Sequence, residues 1–600
     1  MTTWSGIRFT FNAMYGWTGN IALIDLTRQQ TRTLTLPPET YAGHIGGRGL
    51  GGLFVRPAAT RAWDHEDMPV CLFTGPLTAT IAPTSGRSHM MSMSPLTGLV
   101  GDASMGGKMG VQLKRAGWDG LVITGKSDTP VGIHIQDDRI TLIPAVNLWG
   151  LDTDALYTAL SPGKASLACI GPAGENGVRF AAVITDRFHA AGRTGLGLNL
   201  GAKKVKYIQV SGTGTTRVKY PDQLKQARAD ILRLTAASPA LMGRFGLSRL
   251  GTGALYDLMD NRCMMPTRNF TATRFAAASG LNAHAYAKTY HPRQHGCKGC
   301  HILCKKIATQ SDPGVPMPEF EAMSHFTALV GLQDIQTVTA ANQLCNRLGM
   351  DTISAASTLA CFQEITRQKL TSESLMVLLE DIALDRGKGG ALKQGAARYA
   401  RSMGNPAAAM TVKNLELPAY DPRGAYGMAL GYAMSTRGGC HLRAYPISHE
   451  ILRKPVATDR FSFSGKARII KIAEDLNAVV DSLIACKFIF FATGIEEYAK
   501  AFSAVTGTRV TARDLLAVGE KIVYNERIIN SLNGMDARQD TLPDRFFEQP
   551  GSGCDRFSVP PIDRAAFMSA KSAYYAIRDL TTDGLPKPDV AKRFGIDPHG

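Results

Sequence analysis

Residues 295–306 read HGCKGCHILCKK and place Cys297, Cys300 and Cys304 within eight positions. Thiolates three and four residues apart on a glycine-containing loop can converge on one centre, as zinc sites and iron–sulfur clusters both require. Either group needs a fourth ligand. A zinc knuckle or ribbon supplies a second Cys or His pair within about 12 to 20 residues. Downstream of Cys304 the first cysteine is Cys345, in a stretch with helical periodicity, and His325 stands alone. The spacing therefore favours a [4Fe-4S] cluster whose fourth thiolate comes from far along the chain. Cys486, in DSLIAC, and Cys440 both qualify by pattern.

Other residues have chemistry to offer. GRGLGG at 47–52 fits G-x-G-x-x-G, but ETYAGHIGG before it is a poor strand, which argues against a dinucleotide fold. A glycine-rich turn at Gly47 and Gly49 can instead bring backbone N–H groups to a phosphate. Arg87 and Arg193 each sit among small residues, in APTSGRSHMMS and AAGRTGLGLN. A surface salt bridge and a bidentate phosphate contact both suit them. Glu319 and Glu321 in MPEFEAMSHF and His441 in RGGCHLRAY are acid–base candidates. On residue type alone, a Glu before a helix is more often a cap and a lone His more often structural. Tyr420, in LPAYDPRG, carries a phenol that could hydrogen-bond a carbonyl oxygen or simply pack.

The elements that must position these groups change in texture along the chain. Up to about residue 211 short β-type runs such as NIALIDL, VCLFTG, GLVITG and KYIQVSG are bounded by turn residues. From about residue 218 helical periodicity takes over, in YPDQLKQARADILRLTAAS, TVTAANQLCNRLG and SLMVLLEDIALDRGKGGALKQGAARYARSMG. The expected fold is α+β: a β-rich base domain over 1–211, then helical domains over 212–417 and 418–600, with residues 1–13 a loose extension. Hydrophobic residues at 44% and charged residues at 20% suit a globular enzyme. The net charge of +17 suits an anionic cofactor or an acidic protein partner, and no nucleic-acid motif accompanies it. The apolar run LNAVVDSLIACKFIFFATG is broken by Asp481 and Lys487 and is too short between them to span a bilayer. The N-terminus has no charged n-region leading into an apolar core. A cytoplasmic location is expected, where the eleven cysteines serve as ligands and buried hydrophobes rather than in disulfides.

From Met14 onward the chain resembles the aldehyde:ferredoxin oxidoreductase family of tungsten or molybdenum bis-pterin enzymes. The motifs that carry the resemblance are GWTGNIALIDLT, GGRGLGG, GPLTATIAPTSGRSHMMSMSPLTG, GRTGLGLNLGAKKVKYIQV, the C-x2-C-x3-C run, MPEFE, DPRGAYGMALGYAMSTRGGCHLR and DSLIAC. The resemblance implies that Cys486 is the fourth cluster ligand. It also implies that Arg87 lies between cluster and pterin, and that Arg87 and Arg193 contact the cofactor. A magnesium ion bridging the pterin phosphates would meet Ser104 and the Thr194 carbonyl, although Ser104 stands where the family has Asn. Two Asp-x-x-Gly-Leu-(Cys/Asp) motifs hold the pterins in the family. They correspond to NRLGMD, with Asn346 and Asp351, and DSLIAC, with Asp481 and Ala485. Asn346 replaces the first Asp, and Ile484 with Ala485 replaces Gly-Leu. The resemblance selects Glu321 and His441 as the acid–base pair, with Glu319 the alternative carboxylate and Tyr420 on the substrate side. The implied reaction is oxidation of a small aldehyde, with electrons leaving through the cluster to ferredoxin or a ferredoxin-like subunit, in a homodimer or a hetero-oligomer. A low-potential reductase of an aromatic thioester or carboxylic acid, and a cluster-bearing electron-transfer subunit without pterin, are the rival readings.

Overall fold

A computed structural model describes residues 14–309, 314–554 and 557–597. The expectation for residues 1–13 lies outside the described residues. The fold is α+β, with two six-stranded mixed sheets first and a mainly helical remainder.

The first sheet runs from edge to edge Gln30–Thr35, Asn20–Asp25, Gly120–Thr124, Val70–Phe73, Ser88–Met93 and Val100–Met105. Three of the four β-type runs form its centre. Asn20–Asp25 pairs parallel to Gly120–Thr124, and Val70–Phe73 pairs antiparallel to Gly120–Thr124. Val70–Phe73, Ser88–Met93 and most of Val100–Met105 are buried on both faces, which explains near-continuous apolar or small residues instead of alternation. The second sheet runs His189–Ala191, Val183–Thr185, Ser166–Ile170, Val205–Ser211, Val131–Gln136 and Arg139–Pro144.

Among the helices, Pro221–Ala236 begins with proline at its first turn and buries Leu224, Ala227, Ile231 and Thr235, a spacing of three and four that lines one face. Ile335–Leu348 starts at Asp334, whose carboxylate accepts the Thr337 N–H at 2.8 Å, and stops at Gly349 with φ 75°. The periodic stretch from residue 374 to 404 breaks into Ser372–Leu384, Gly389–Leu392 and Ala396–Ser402. Asp385 and Gly395, at φ 55° and 85°, turn the chain between them. Among the described residues, no helix is long and apolar enough to cross a membrane.

GRGLGG does not form the phosphate-binding turn expected of it. Its residues begin the helix Gly47–Val55, which is buried along most of its length. The Gly47 N–H donates to Thr74 O at 2.9 Å and the Gly49 N–H to Ser482 Oγ at 3.1 Å, so both amides are used inside the chain. The glycines serve close packing. A Cβ on Gly47 would lie 2.1 Å from the Asp481 carbonyl oxygen, and one on Gly49 the same distance from that of His44. Bare backbone here lets this helix lie against the end of the helix Lys466–Leu483, which carries Asp481. That helix in turn packs on Ala512–Leu532, and one apolar core runs from Trp17, Leu50 and Phe73 to Val479, Leu483 and Val523. Gly49→Ala is expected to destabilise the protein by about 1–3 kcal/mol through overpacking against backbone, read as a lowered thermal unfolding midpoint.

Candidate active site

The cysteine loop joins strand Arg293–His295 to strand Lys305–Ala308 of a small three-stranded sheet. Cys300 N–H closes a turn on Cys297 O at 3.1 Å, and Gly299 takes φ 75° at its apex. Cys486 arrives from the other side, just past the helix Lys466–Leu483, with its N–H on Thr84 O at 3.1 Å. Ile484 caps that helix at φ 64°, a left-handed conformation that burdens a β-branched residue and explains why the family motif has glycine there. The four thiols are near enough to influence one another's charge. Burial raises Cys304, and the neighbouring Cys486, Glu319, Cys297 and Cys300 raise it further. Cys486 is pushed up to about 11 by burial, with Arg87 pulling the other way. Cys440 stands apart from this group, bonded to Arg437.

Among the described residues, the one His/Cys/Asp/Glu group whose ligand atoms lie within 4.8 Å of one another is His89, Asp102 and Asp481. No three of the four thiols come that close.

Arg87 links this cluster of thiols to the first sheet. Its Nη1 reaches Cys297 Sγ at 3.8 Å, while Nε and Nη2 donate to Ser104 Oγ at 2.8 Å and Ser104 O at 2.9 Å. Ser104 therefore holds the arginine. Thr194, at φ 72°, gives its carbonyl to Ser94 Oγ at 2.7 Å. Both groups expected at magnesium are thus engaged within the chain. Arg193 donates from Nη2 to Glu416 O at 2.7 Å and lies with Nε 3.1 Å from Asp351 Oδ2. Asp351 also caps the helix Thr352–Thr366. The backbone carbonyl of Asn346 accepts from Thr153 Oγ1 at 3.1 Å.

Glu321 lies in the first turn of Phe320–Ser324, and the chain then widens into a π-turn at His325–Leu329. Glu321 Oε2 accepts the Ala419 N–H at 2.8 Å, while Oε1 faces His441 Nε2 at 3.5 Å. Burial pushes Glu321 up to about 8, against the Ala419 N–H and Arg193, which lower it. Burial drives His441 well below its usual value, helped by Arg193, Arg437 and Lys487. At neutral pH these are a protonated acid beside a neutral imidazole, not an ion pair. The Tyr420 ring lies 5.5 Å from His441, and its hydroxyl shares a 3.0 Å hydrogen bond with that of Tyr445. Glu319 is turned outward, paired with Lys305 Nζ at 2.9 Å. It does not join the Glu321–His441 pair.

The sequence reading missed a hub of buried charge. Asp102 takes Arg443 at 2.6 and 3.0 Å, lies 2.9 Å from His89 Nε2, and gives its carbonyl to Arg437 at 2.5 Å. Burial raises Asp102, but Arg443 and Arg437 outweigh it and hold the carboxyl well below its usual range. Glu526 takes Arg48 at 2.6 and 2.7 Å. Asp481 lies 2.7 Å from Lys487 and 3.7 Å from Arg48, and these cations with His89 outweigh burial to lower it. Arg437 and Arg443 flank GGCHL, so a charged loop around His441 was the available signal. Arg437 also donates to Cys440 Sγ at 2.9 and 3.1 Å, and its charge with that of Arg443 lowers the thiol despite burial. Arg48 Nη1, Asp481 Oδ1, His441 Nδ1 and Arg443 Nε are buried and have no hydrogen-bond partner within the chain. Such atoms cost about 1–3 kcal/mol each when unmatched, so the region is chemically suited to a ligand rich in donors and acceptors.

The fold thus brings together an acid–imidazole pair, Glu321 and His441, and sets Arg87 beside the thiol of Cys297. The family model for the aldehyde ferredoxin oxidoreductase N-terminal domain matches residues 21–212, and that for domains 2 and 3 matches residues 226–596. Tungsten-containing aldehyde ferredoxin oxidoreductases of Thermococcus kodakarensis and Pyrococcus furiosus are each 34% identical over 97% of this chain and 99% of their own. The WOR-like subunit of an aliphatic sulfonate oxidoreductase from Pyrococcus furiosus is 25% identical over 97% of both chains. In fold, the active site complex BamBC of benzoyl coenzyme A reductase, bound to 1,5-dienoyl-CoA, matches with a TM-score of 0.82 at 19% identity, over 97% of this chain and 98% of its own. The chain belongs to the aldehyde ferredoxin oxidoreductase family and is an oxidoreductase, and this membership implies a tungsten–pterin cofactor.

Asp102→Asn should cost about 3–5 kcal/mol, because it strands buried arginines. Asp536→Asn, which breaks an exposed pair with Arg538, should leave the unfolding midpoint nearly unchanged. Thermal unfolding midpoints of the two variants check the contrast.

Proposed function

We propose that this chain oxidises an aldehyde to the carboxylic acid at a tungsten (or molybdenum) bis-pterin centre. Water supplies the oxygen, and the two electrons and two protons released leave separately. Cys297, Cys300, Cys304 and Cys486 would hold a [4Fe-4S] cluster, which would supply one-electron transfer toward a ferredoxin or ferredoxin-like subunit. The single observation that carries this reading is the closeness of the two poles. The Tyr445 ring lies 5.9 Å from that of His441 and 5.9 Å from that of Phe491, five residues past Cys486.

The residues fit the cofactor. Asp481, Arg48 and Arg443 present unmatched polar atoms suited to a pterin edge, and Arg87 and Arg193 supply positive charge for its phosphates. The bound centre would accept the electron pair. His441, neutral, can donate an N–H hydrogen bond to the aldehyde oxygen and so polarise the carbonyl. Glu321 holds and releases a proton at its carboxyl, and the oxygen of the attacking water is the group it would deprotonate. Phe320, Tyr420 and Tyr445 pack beside the pair and restrict access of bulk water. The 34% identity to enzymes named for aldehydes and ferredoxin supports aldehyde as substrate over an aromatic thioester.

Elemental analysis of anaerobically purified protein should find about one tungsten or molybdenum and about four iron per chain, with viologen reduction by aldehydes. Iron without either heavy metal would leave only an electron carrier, and zinc in place of iron would remove the cluster. A rising rate with pH is also expected, with a midpoint near about 8, where the raised Glu321 carboxyl loses its proton and becomes a base. Glu321→Gln should remove that limb and lower kcat by about 100-fold or more; a limb that survives in this variant belongs to another group.

A further inference from the structure

Two cysteines outside the cluster and the active site lie thiol to thiol. Cys263, at φ 51° just after the helix Tyr256–Asn261, is fully buried. Its thiol hydrogen-bonds that of Cys554, half-buried at the end of strand Gly551–Cys554. Other contacts place the two segments together. Thr273 Oγ1 donates to Ser552 O at 2.7 Å, and Met265 N–H, two residues from Cys263, donates to Thr273 O at 3.1 Å. Arg460 bridges the pair. Its Nη1 donates to Arg262 O at 2.6 Å, and its guanidinium lies 4.4 Å from the centre of Phe557, the cross-strand partner of Cys554. Arg274 and Arg460 both lower the Cys263 thiol, against burial and Cys554, which raise it to about 11. The two thiols are in contact, Cys554 is the less buried residue of the pair, and Arg274 and Arg460 offset only part of the burial that keeps Cys263 a thiol, so exchange would begin at Cys554.

We propose that Cys263 and Cys554 form a reversible disulfide by exchange with a small disulfide of the glutathione type. The Cys554 sulfur, the more exposed, attacks one sulfur of the oxidant and expels the first thiol of that molecule. Cys263 then attacks the Cys554 sulfur of the mixed disulfide and expels the second. The two protein thiols are oxidised, the small disulfide is reduced to two thiols, and the two protons released are taken up by those thiols. The bond would tie strands Gly551–Cys554 and Phe557–Val559 to a segment that reaches the active site. Met264 O accepts the Asp421 N–H at 2.8 Å, one residue beyond Tyr420. This inference does not depend on the aldehyde reading.

The test treats the anaerobic holoenzyme with oxidised glutathione, quenches it with acid, digests it without reductant and maps the peptides by mass spectrometry. A cross-link between the Cys263 and Cys554 peptides is expected, reversed by dithiothreitol and absent in Cys554→Ser. A glutathione adduct that persists on Cys554, a bond from Cys554 to any other cysteine, or two unmodified thiols would each overturn the proposal.

Discussion

The structure depends on the need to match buried charge. Asp102 and Glu526 are taken out of water with Arg48, Arg437 and Arg443, and each ion so buried costs several kcal/mol unless it is paired. Arg443 reaches both carboxylates, at 2.6 Å from Asp102 and 3.5 Å from Glu526. The hub therefore fastens strand Val100–Met105, helix Gly47–Val55, helix Ala512–Leu532 and the loop before Arg443 to one point. Arg48 and Glu526 are 478 residues apart. The β-rich segment and the last helices thus share a charge balance as well as an apolar core, and neither reaches its final form alone.

The same cations set the chemistry of the acid–base pair. Arg193, Arg437 and Lys487 surround His441 with positive charge, which with burial keeps the imidazole neutral. Glu321 is only partly exposed, with Oε1 shut off from solvent, and it is bonded to one backbone N–H, so desolvation wins and the proton stays. Two side chains that would form an ordinary ion pair in water are both uncharged here, because one is crowded by cations and the other is starved of water.

Much of this was legible in the sequence and some was not, for identifiable reasons. The central strands could be read because their apolar runs are buried on both faces. The cysteine triplet stands out because its spacing is visible in linear order. Gly47 and Gly49 misled because a glycine chosen for φ freedom and one chosen for lack of a side chain look alike until the neighbour, here Asp481 O, is known. Glu319 and Glu321 are two positions apart at a helix start and point to different sides, so only the resemblance to the family separated them. The hub stayed hidden because Arg48, Asp102 and Glu526 are residue types whose usual place is the surface, and their partners lie hundreds of residues away.

The π-turn at His325–Leu329 has a geometric consequence of its own. Val330 N–H reaches back five residues to His325 O at 3.0 Å, where an α-helix would reach back four. One residue more per turn shifts the angular phase of everything before it by about 100° relative to everything after. Glu321 and His325 look across to His441 and Leu417 O, while Thr327, within the wide turn, meets Tyr256. The extra residue acts as a fixed rotational offset between the turn that carries Glu321 and the chain that leaves the segment after Val330.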